Sequence, residues 1–280
     1  MDYTLTQVKS IVRRALKEDI GEGDVTSRCT VPPRALLTGR FIAKEAGIVA
    51  GLEVARLTFS LLDERVELTS HVADGDPVTV GKVIATVSGP GRALLGGERV
   101  ALNFLQRMSG IATLTRRFVT AVQGTPAVIL DTRKTAPGLR LLDKWAVRLG
   151  GGQNHRFGLY DMVLIKDNHI AAVGGITQAA ARVRAGDRQR RLIEVEVKTL
   201  AELQEALGLE VDRIMLDNMS LVEMREAVRL TGGRVPLEAS GNVTLENVAA
   251  VAATGVNYIS VGALTHSVRA LDISLLLEAS

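Results

Sequence analysis

The residues best suited to chemistry in this chain are cations set at the ends of apolar runs. Asp131-Thr132-Arg133-Lys134 follows the run 127–130, Lys166-Asp167-Asn168-His169 follows the run 162–165, and His155-Arg156 lies between them. Cations at the mouths of buried strands are costly unless something anionic meets them. Arg grips carboxylate or phosphate through two parallel N–H bonds, and Lys adds a compact charge. A lone Arg of this kind would sooner pair with a surface acid, and His155 alone could be a hydrogen-bonded core histidine. Several cations at successive strand ends point instead to a ligand rich in carboxylate or phosphate.

Acids follow at later strand ends. Glu196 and Asp217 close two further apolar runs, and Glu194 shares the face of Glu196 because side chains alternate along a strand. Two carboxylates in such a place call for a cation or hydroxyl groups. Magnesium held by one or two carboxylates together with substrate phosphates is one answer; ion pairs with the neighbouring lysines and arginines are the other. No histidine pair has zinc-ligand spacing. Ser240-Gly241-Asn242 and Val261-Gly262-Ala263, with His266 beyond, follow the last two runs. Small residues there let backbone N–H groups hold a phosphate, although glycine turns are common everywhere.

The elements that must position these residues are short. Apolar, β-branched-rich runs at 127–130, 162–165, 192–197, 213–216, 235–239 and 258–261 alternate with amphipathic windows, clearest at 199–207, 220–230 and 244–253. That alternation predicts βα units and a parallel sheet covered on both faces. A complete eight-strand barrel needs about 250 residues, so an incomplete barrel or an open doubly wound sheet is expected. Polar residues at nearly every strand end favour the barrel.

Upstream, 6–18 has the spacing of an amphipathic helix, 18–27 reads as a glycine-rich acidic turn, and 35–90 is strand-like and broken by turns. The stretch 73–85, with its Asp74-Gly75 turn, resembles the hairpin of biotinyl carriers. Lys82 opens the following strand rather than capping a tip, which predicts a structural hairpin. A long helix is predicted over 97–122, with Gly110 a possible division. The expected fold class is α/β: an N-terminal α/β sandwich-like domain over 1–108, joined by 268–280, plus an open, incomplete α/β barrel over 109–267.

Composition narrows the partners. Aromatics are 3% of the 280 residues, too few for base-stacking nucleic-acid modules. The net charge of +3 comes from interspersed residues. The single Cys29 excludes an internal disulfide framework. No apolar stretch is long enough to span a membrane and the N-terminal residues lack a signal pattern, so a cytoplasmic location is expected.

Taken together, these stretches resemble the quinolinate phosphoribosyltransferase family, the decarboxylating nicotinate-nucleotide pyrophosphorylases of NAD biosynthesis. The likeness runs from Glu18-Asp-Ile-Gly-Glu-Gly-Asp-Val-Thr-Ser27 through Glu98-Arg99, Thr132-Arg-Lys-Thr-Ala-Pro-Gly-Leu-Arg140, Gly152-Gln-Asn-His-Arg156, Lys166-Asp-Asn-His169, Glu194-Val-Glu196, Asp217-Asn218 and Ser240-Gly241 to Ser260-Val-Gly262. It implies a homodimer or higher oligomer with a shared site, in which Arg99 reaches in from the neighbouring chain. It implies that Arg133, His155, Arg156 and Lys166 bind the two carboxylates of quinolinate. Lys134, Glu196 and Asp217 would meet phosphoribosyl pyrophosphate and its Mg2+, and Ser240, Gly241, Asn242, Gly262, Ala263 and His266 its phosphate, with Thr132 and Val261 also binding substrate. Lys134, Lys166, Glu196 and Asp217 form the implied catalytic set. A paralogous family linked to molybdenum metabolism diverges around the TRKT and GDxTS stretches, which this chain keeps. An anion-binding protein without the chemistry and another phosphosugar enzyme are the remaining rivals.

Overall fold

The structure, a computed structural model, describes residues 5–279. The chain divides into two compact units. One is built from Met1–Arg116, Thr135–Gly151 and Thr265–Ser280, the other from Arg117–Lys134 and Gly152–Leu264.

The first unit opens with α1 (Leu5–Ile20), whose apolar stripe buries Val8, Ile11, Val12 and Leu16. The acidic stretch after it is only partly a turn. Asp24 accepts the N–H of Ser27 at 2.9 Å and thereby starts a second helix, α2 (Val25–Thr30). An aspartate three residues before a free N–H is the N-cap pattern, and it overrides the glycine signal just upstream. Then come β1 (Leu36–Ala43), β2 (Gly47–Ile48), α3 (Leu52–Ser60), β3 (Glu67–Ser70), β4 (Pro77–Val78), β5 (Val83–Pro90) and α4 (Gly91–Ala121).

With the last strand, β12 (Ile273–Ala279), these strands form an antiparallel sheet in the order β12-β1-β5-β3. Phe41, Val87, Ile273 and Leu275 on the sheet pack with Phe59, Leu94 and Leu105 from the helices. The 73–85 hairpin does not form: β4 pairs with β2, whereas β5 pairs with β1 and β3. Gly81, at φ +84°, sends its N–H to the Ala43 carbonyl at 2.8 Å and so turns the chain from one sheet to the other. Nor does Gly110 divide α4. A Cβ there would lie 2.2 Å from the Arg269 carbonyl oxygen, so the glycine serves close backbone approach.

The second unit carries six short parallel strands: β6 (Val128–Leu130), β7 (Val163–Ile165), β8 (Ile193–Val197), β9 (Arg213–Asp217), β10 (Leu237–Ser240) and β11 (Tyr258–Ser260). Between them run α6 (Asp167–Val173), α7 (Ile176–Gly186), α8 (Leu200–Leu207), α9 (Leu221–Thr231) and α10 (Val248–Ala252). The remaining helices are α5 (Arg140–Leu149), which belongs to the first unit, and α11 (Ala263–His266).

The strand order is β6-β11-β10-β9-β8-β7. Beyond β6 a single parallel bridge, Leu130 to Gln153, prolongs the sheet. The barrel is not closed. Register makes one face of it polar: Glu194 opposes Arg213 and Leu164, Glu196 opposes Met215, and Met215 opposes Glu238, which opposes Tyr258. One step further along the strands, Asp217, Ser240 and Ser260 are in register. The opposite face is aliphatic, with Val195, Ile214, Leu216, Ala239 and Ile259 all fully buried.

Candidate active site

The cationic end of the site is built on β6 and on the chain beside it. Gln153 exchanges backbone hydrogen bonds with Ile129 and Asp131, which lays residues 153–156 alongside β6. The fully buried carboxylate of Asp131 anchors this segment, accepting the His155 N–H at 2.9 Å and the side-chain amide of Asn154. Arg156 is thereby held with 9% of its surface exposed and donates to the Met162 carbonyl at 3.2 Å. Burial and the nearby Arg133 guanidinium both weaken the hold of Arg156 on its proton. Thr132 accepts the Lys134 N–H at 3.1 Å, shaping the turn that carries Arg133 and leaving Lys134 exposed.

The acidic end lies on β8 and β9. Glu196 accepts from Lys166 Nζ at 3.2 Å across the β7–β8 pair. Asp217 takes the side-chain amide of Asn218 at 3.0 Å, and Asn218 in turn accepts from Asn242 at 3.0 Å. Gly241 sits between them at φ +99°, and a Cβ on it would lie 2.1 Å from the Asn218 side-chain oxygen. Asn218 and Asn242 are themselves left-handed. Two strand ends are locked into one tight turn of small and amide residues, with Ser240 at its start. Lys198, at the end of β8, donates to Asp167 at 2.8 Å, and its charge is also favoured by Asp217 and Glu196. His169 is used locally: its Nδ1 accepts the Lys166 N–H at 3.0 Å at the start of α6.

Beneath both ends lies a buried ionic cluster. His155 Nε2 is 2.9 Å from Glu194 Oε2 and 3.4 Å from Glu238 Oε2. Arg213 donates to Glu238 at 3.0 Å, and its guanidinium lies 4.1 Å from the centre of the Tyr258 ring. Both glutamates have 0% exposure. Burial opposes a charged His155, but the two carboxylates outweigh it and raise its pKa to about 9. A backbone contact pulls the other way: the Arg156 N–H reaches His155 Nδ1 at 2.7 Å and needs a lone pair there. On its other edge, Nε2 faces the two carboxylates at ion-pair distance. The ligand atoms of His155, Glu194 and Glu238 lie within 4.8 Å of one another, a spacing that could hold a metal ion. Arg213 already supplies the counter-charge, and the field of Glu194 also reaches Arg156.

Two domain models match the chain, the quinolinate phosphoribosyl transferase N-terminal domain over residues 24–109 and the C-terminal domain over residues 111–276. The chain belongs to the quinolinate phosphoribosyltransferase family. It is 49% identical over 290 residues to quinolinate phosphoribosyltransferase [decarboxylating] 1 of Nicotiana glauca, covering 97% of this chain and 82% of that one. It is also 49% identical to the probable nicotinate-nucleotide pyrophosphorylase [carboxylating] of Bacillus subtilis, covering 96% of this chain and 93% of the other. Among solved structures, NadC from Streptococcus pyogenes superposes with a TM-score of 0.96 at 42% identity, covering 100% of this chain and 99% of that one.

Within this family fold, the second unit gathers Thr132, Arg133, Lys134, His155, Arg156, Lys166, Glu196, Asp217, Ser240, Gly241, Asn242, Val261, Gly262 and Ala263 on strand ends and the turns after them. Arg99 and His266 belong to the first unit, Arg99 exposed on α4 and His266 with its Nδ1 2.6 Å from the Ser267 hydroxyl. Reading the runs 213–216 and 235–239 as apolar hid Arg213 and Glu238. Period-two alternation would have found them, since Glu238 shares a face with Ser240 and Arg213 with Asp217.

Proposed function

We propose that the chain transfers the phosphoribosyl group of phosphoribosyl pyrophosphate to quinolinate with decarboxylation. The products are nicotinate mononucleotide, pyrophosphate and CO2, a step of NAD biosynthesis. The observation that carries this reading, within the family, is the buried Arg156 beside Arg133, two guanidiniums whose closeness a shared anion would ease. A dicarboxylate meets that need, with Lys166 adding a third cation at the next strand end. Thr132 and Lys134 line the same turn.

The sugar side falls to Glu196 and Asp217, with the 5′-phosphate over the backbone of Ser240, Gly241 and Asn242 and of Val261, Gly262 and Ala263. The donor set of Glu196 and Asp217 is all oxygen, which suits Mg2+ shared with substrate phosphates. Bound there, the ion would draw charge from the departing pyrophosphate. The carboxylates stabilise the oxocarbenium-like centre left at C1. Cations on the two pyridine carboxylates aim the ring nitrogen at C1, so positioning replaces a covalent catalyst. After attack, the 2-carboxylate leaves as CO2, its electron pair stays on C2 beside the cationic nitrogen, and C2 then takes a proton from water to give the product.

The working enzyme is a homodimer or higher oligomer in which Arg99 completes a neighbour's site. It acts in the cytoplasm; no helix among the described residues is long and apolar enough to cross a membrane. Incubation with quinolinate, phosphoribosyl pyrophosphate and Mg2+ tests the reading. CO2 and nicotinate mononucleotide should appear in equal amounts; release of neither would overturn it.

A further inference from the structure

Glu194 and Glu238 are carboxylates without solvent exposure, and in each the Oε1 atom makes no hydrogen bond. Buried carboxylate oxygens left this way are costly, and such cost persists where it serves a site. Neither residue is at a strand end, so neither reaches a substrate held at the mouth. Both instead face His155 Nε2, at 2.9 Å and 3.4 Å. At the other side of the ring, Nδ1 receives the Arg156 N–H at 2.7 Å. The ring faces two carboxylates at ion-pair distance on one side and takes a backbone N–H on the other, and that backbone belongs to the most buried guanidinium in the mouth. The remaining partner, Arg213, donates at 3.0 Å to Glu238 Oε2, the same oxygen that faces His155, while lying against Tyr258, and so holds that carboxylate in place.

We infer that Glu194, Glu238 and Arg213 are positioning residues for the dicarboxylate, acting through His155 to hold Arg156 where a substrate carboxylate meets it. This rests on the proposed quinolinate reading. The His155 ring is engaged within the fold, so it orients Arg156 rather than gripping the ligand itself. The arrangement also separates two duties: the buried carboxylates balance the cations before substrate arrives, while Glu196 and Asp217 serve the sugar.

Calorimetric titration separates this inference from the reading beneath it. Unaltered protein is titrated with quinolinate, and separately with phosphoribosyl pyrophosphate and Mg2+, beside Glu238→Gln and Glu194→Gln. Both variants should bind quinolinate about tenfold or more weakly, as expected for a lost charge-assisted contact, and phosphoribosyl pyrophosphate within about twofold. In turnover, KM for quinolinate should rise more than kcat falls. His155→Gln, which keeps a donor and an acceptor, should retain more quinolinate affinity than His155→Ala. Should the single variants not fold, Arg213→Met with Glu238→Leu removes the buried pair together and should show the same selective loss. Unaltered protein that does not bind quinolinate overturns the functional reading and this inference with it. Unaltered protein that binds, with variants that bind equally well or lose both substrates equally, overturns only the inference.

Discussion

Arg156 is a guanidinium nine-tenths hidden from water, and a second one, on Arg133, lies close enough to weaken its charge. Removing Arg133 relieves that repulsion, so the fold should tolerate Arg133→Ala while the ligand does not. Quinolinate affinity should fall about tenfold to a hundredfold, the usual scale for a lost bidentate contact, with the melting temperature nearly unchanged. Titration calorimetry beside a thermal melt checks both, and unchanged affinity would misplace the carboxylate site. At the acidic end, Glu196→Gln keeps the shape of the side chain and its reach to Lys166 but removes the charge. The concentration of Mg2+ that half-restores activity after chelation should rise severalfold. A variant with an unaltered Mg2+ requirement would move the metal to other ligands.

Strand ends and turns set how rigidly these groups are presented. Gly241→Ala puts a methyl group 2.1 Å from the Asn218 side chain at a backbone angle of φ +99°. The Asp217–Asn218–Asn242 lock should open, at a cost of about 1–3 kcal/mol, and affinity for phosphoribosyl pyrophosphate should drop while quinolinate binding stays. Gly110→Ala is the matched change away from the site, forcing the Arg269 backbone off α4; it should cost about 2–4 kcal/mol in a denaturant melt and leave both affinities intact. The parallel strands were legible because each is a short apolar run with a polar residue at its end. Arg213, which opens β9, and Glu238, within β10, were not, because one charged residue in a run of four or five still averages as apolar. The α2 helix was missed for a local reason: a single Asp24 cap outweighs the glycines before it.

At the scale of the whole molecule, a shared site makes a distinct claim. Chains carrying Arg99→Ala and chains carrying Lys166→Ala should each be nearly inactive alone, and mixing them after subunit exchange should recover up to about a quarter of full activity, through hybrid sites that keep both residues. No recovery despite demonstrated exchange would return the site to a single chain. Within the first unit, Asp143 is buried and held by Nε and Nη2 of Arg107, each at 2.9 Å, and it also accepts the Ala136 N–H at 3.1 Å. Asp143→Ala should therefore destabilise by roughly 3–5 kcal/mol, read as an earlier thermal transition.

The register of β12 against β1 reaches beyond the finished protein. Seven residues near the end of the chain, from Ile273 to Ala279, pair with the first long strand, whose other edge is taken by β5. During synthesis β1 leaves the ribosome some 230 residues before its partner, and through that interval one edge of it has backbone N–H and C=O groups with no strand to meet. The first unit to be translated is thus the last to be completed. A nascent chain stalled anywhere before residue 273 presents an open sheet edge to the cell, which makes late truncation of this protein a matter for chaperones rather than a minor loss of its tail.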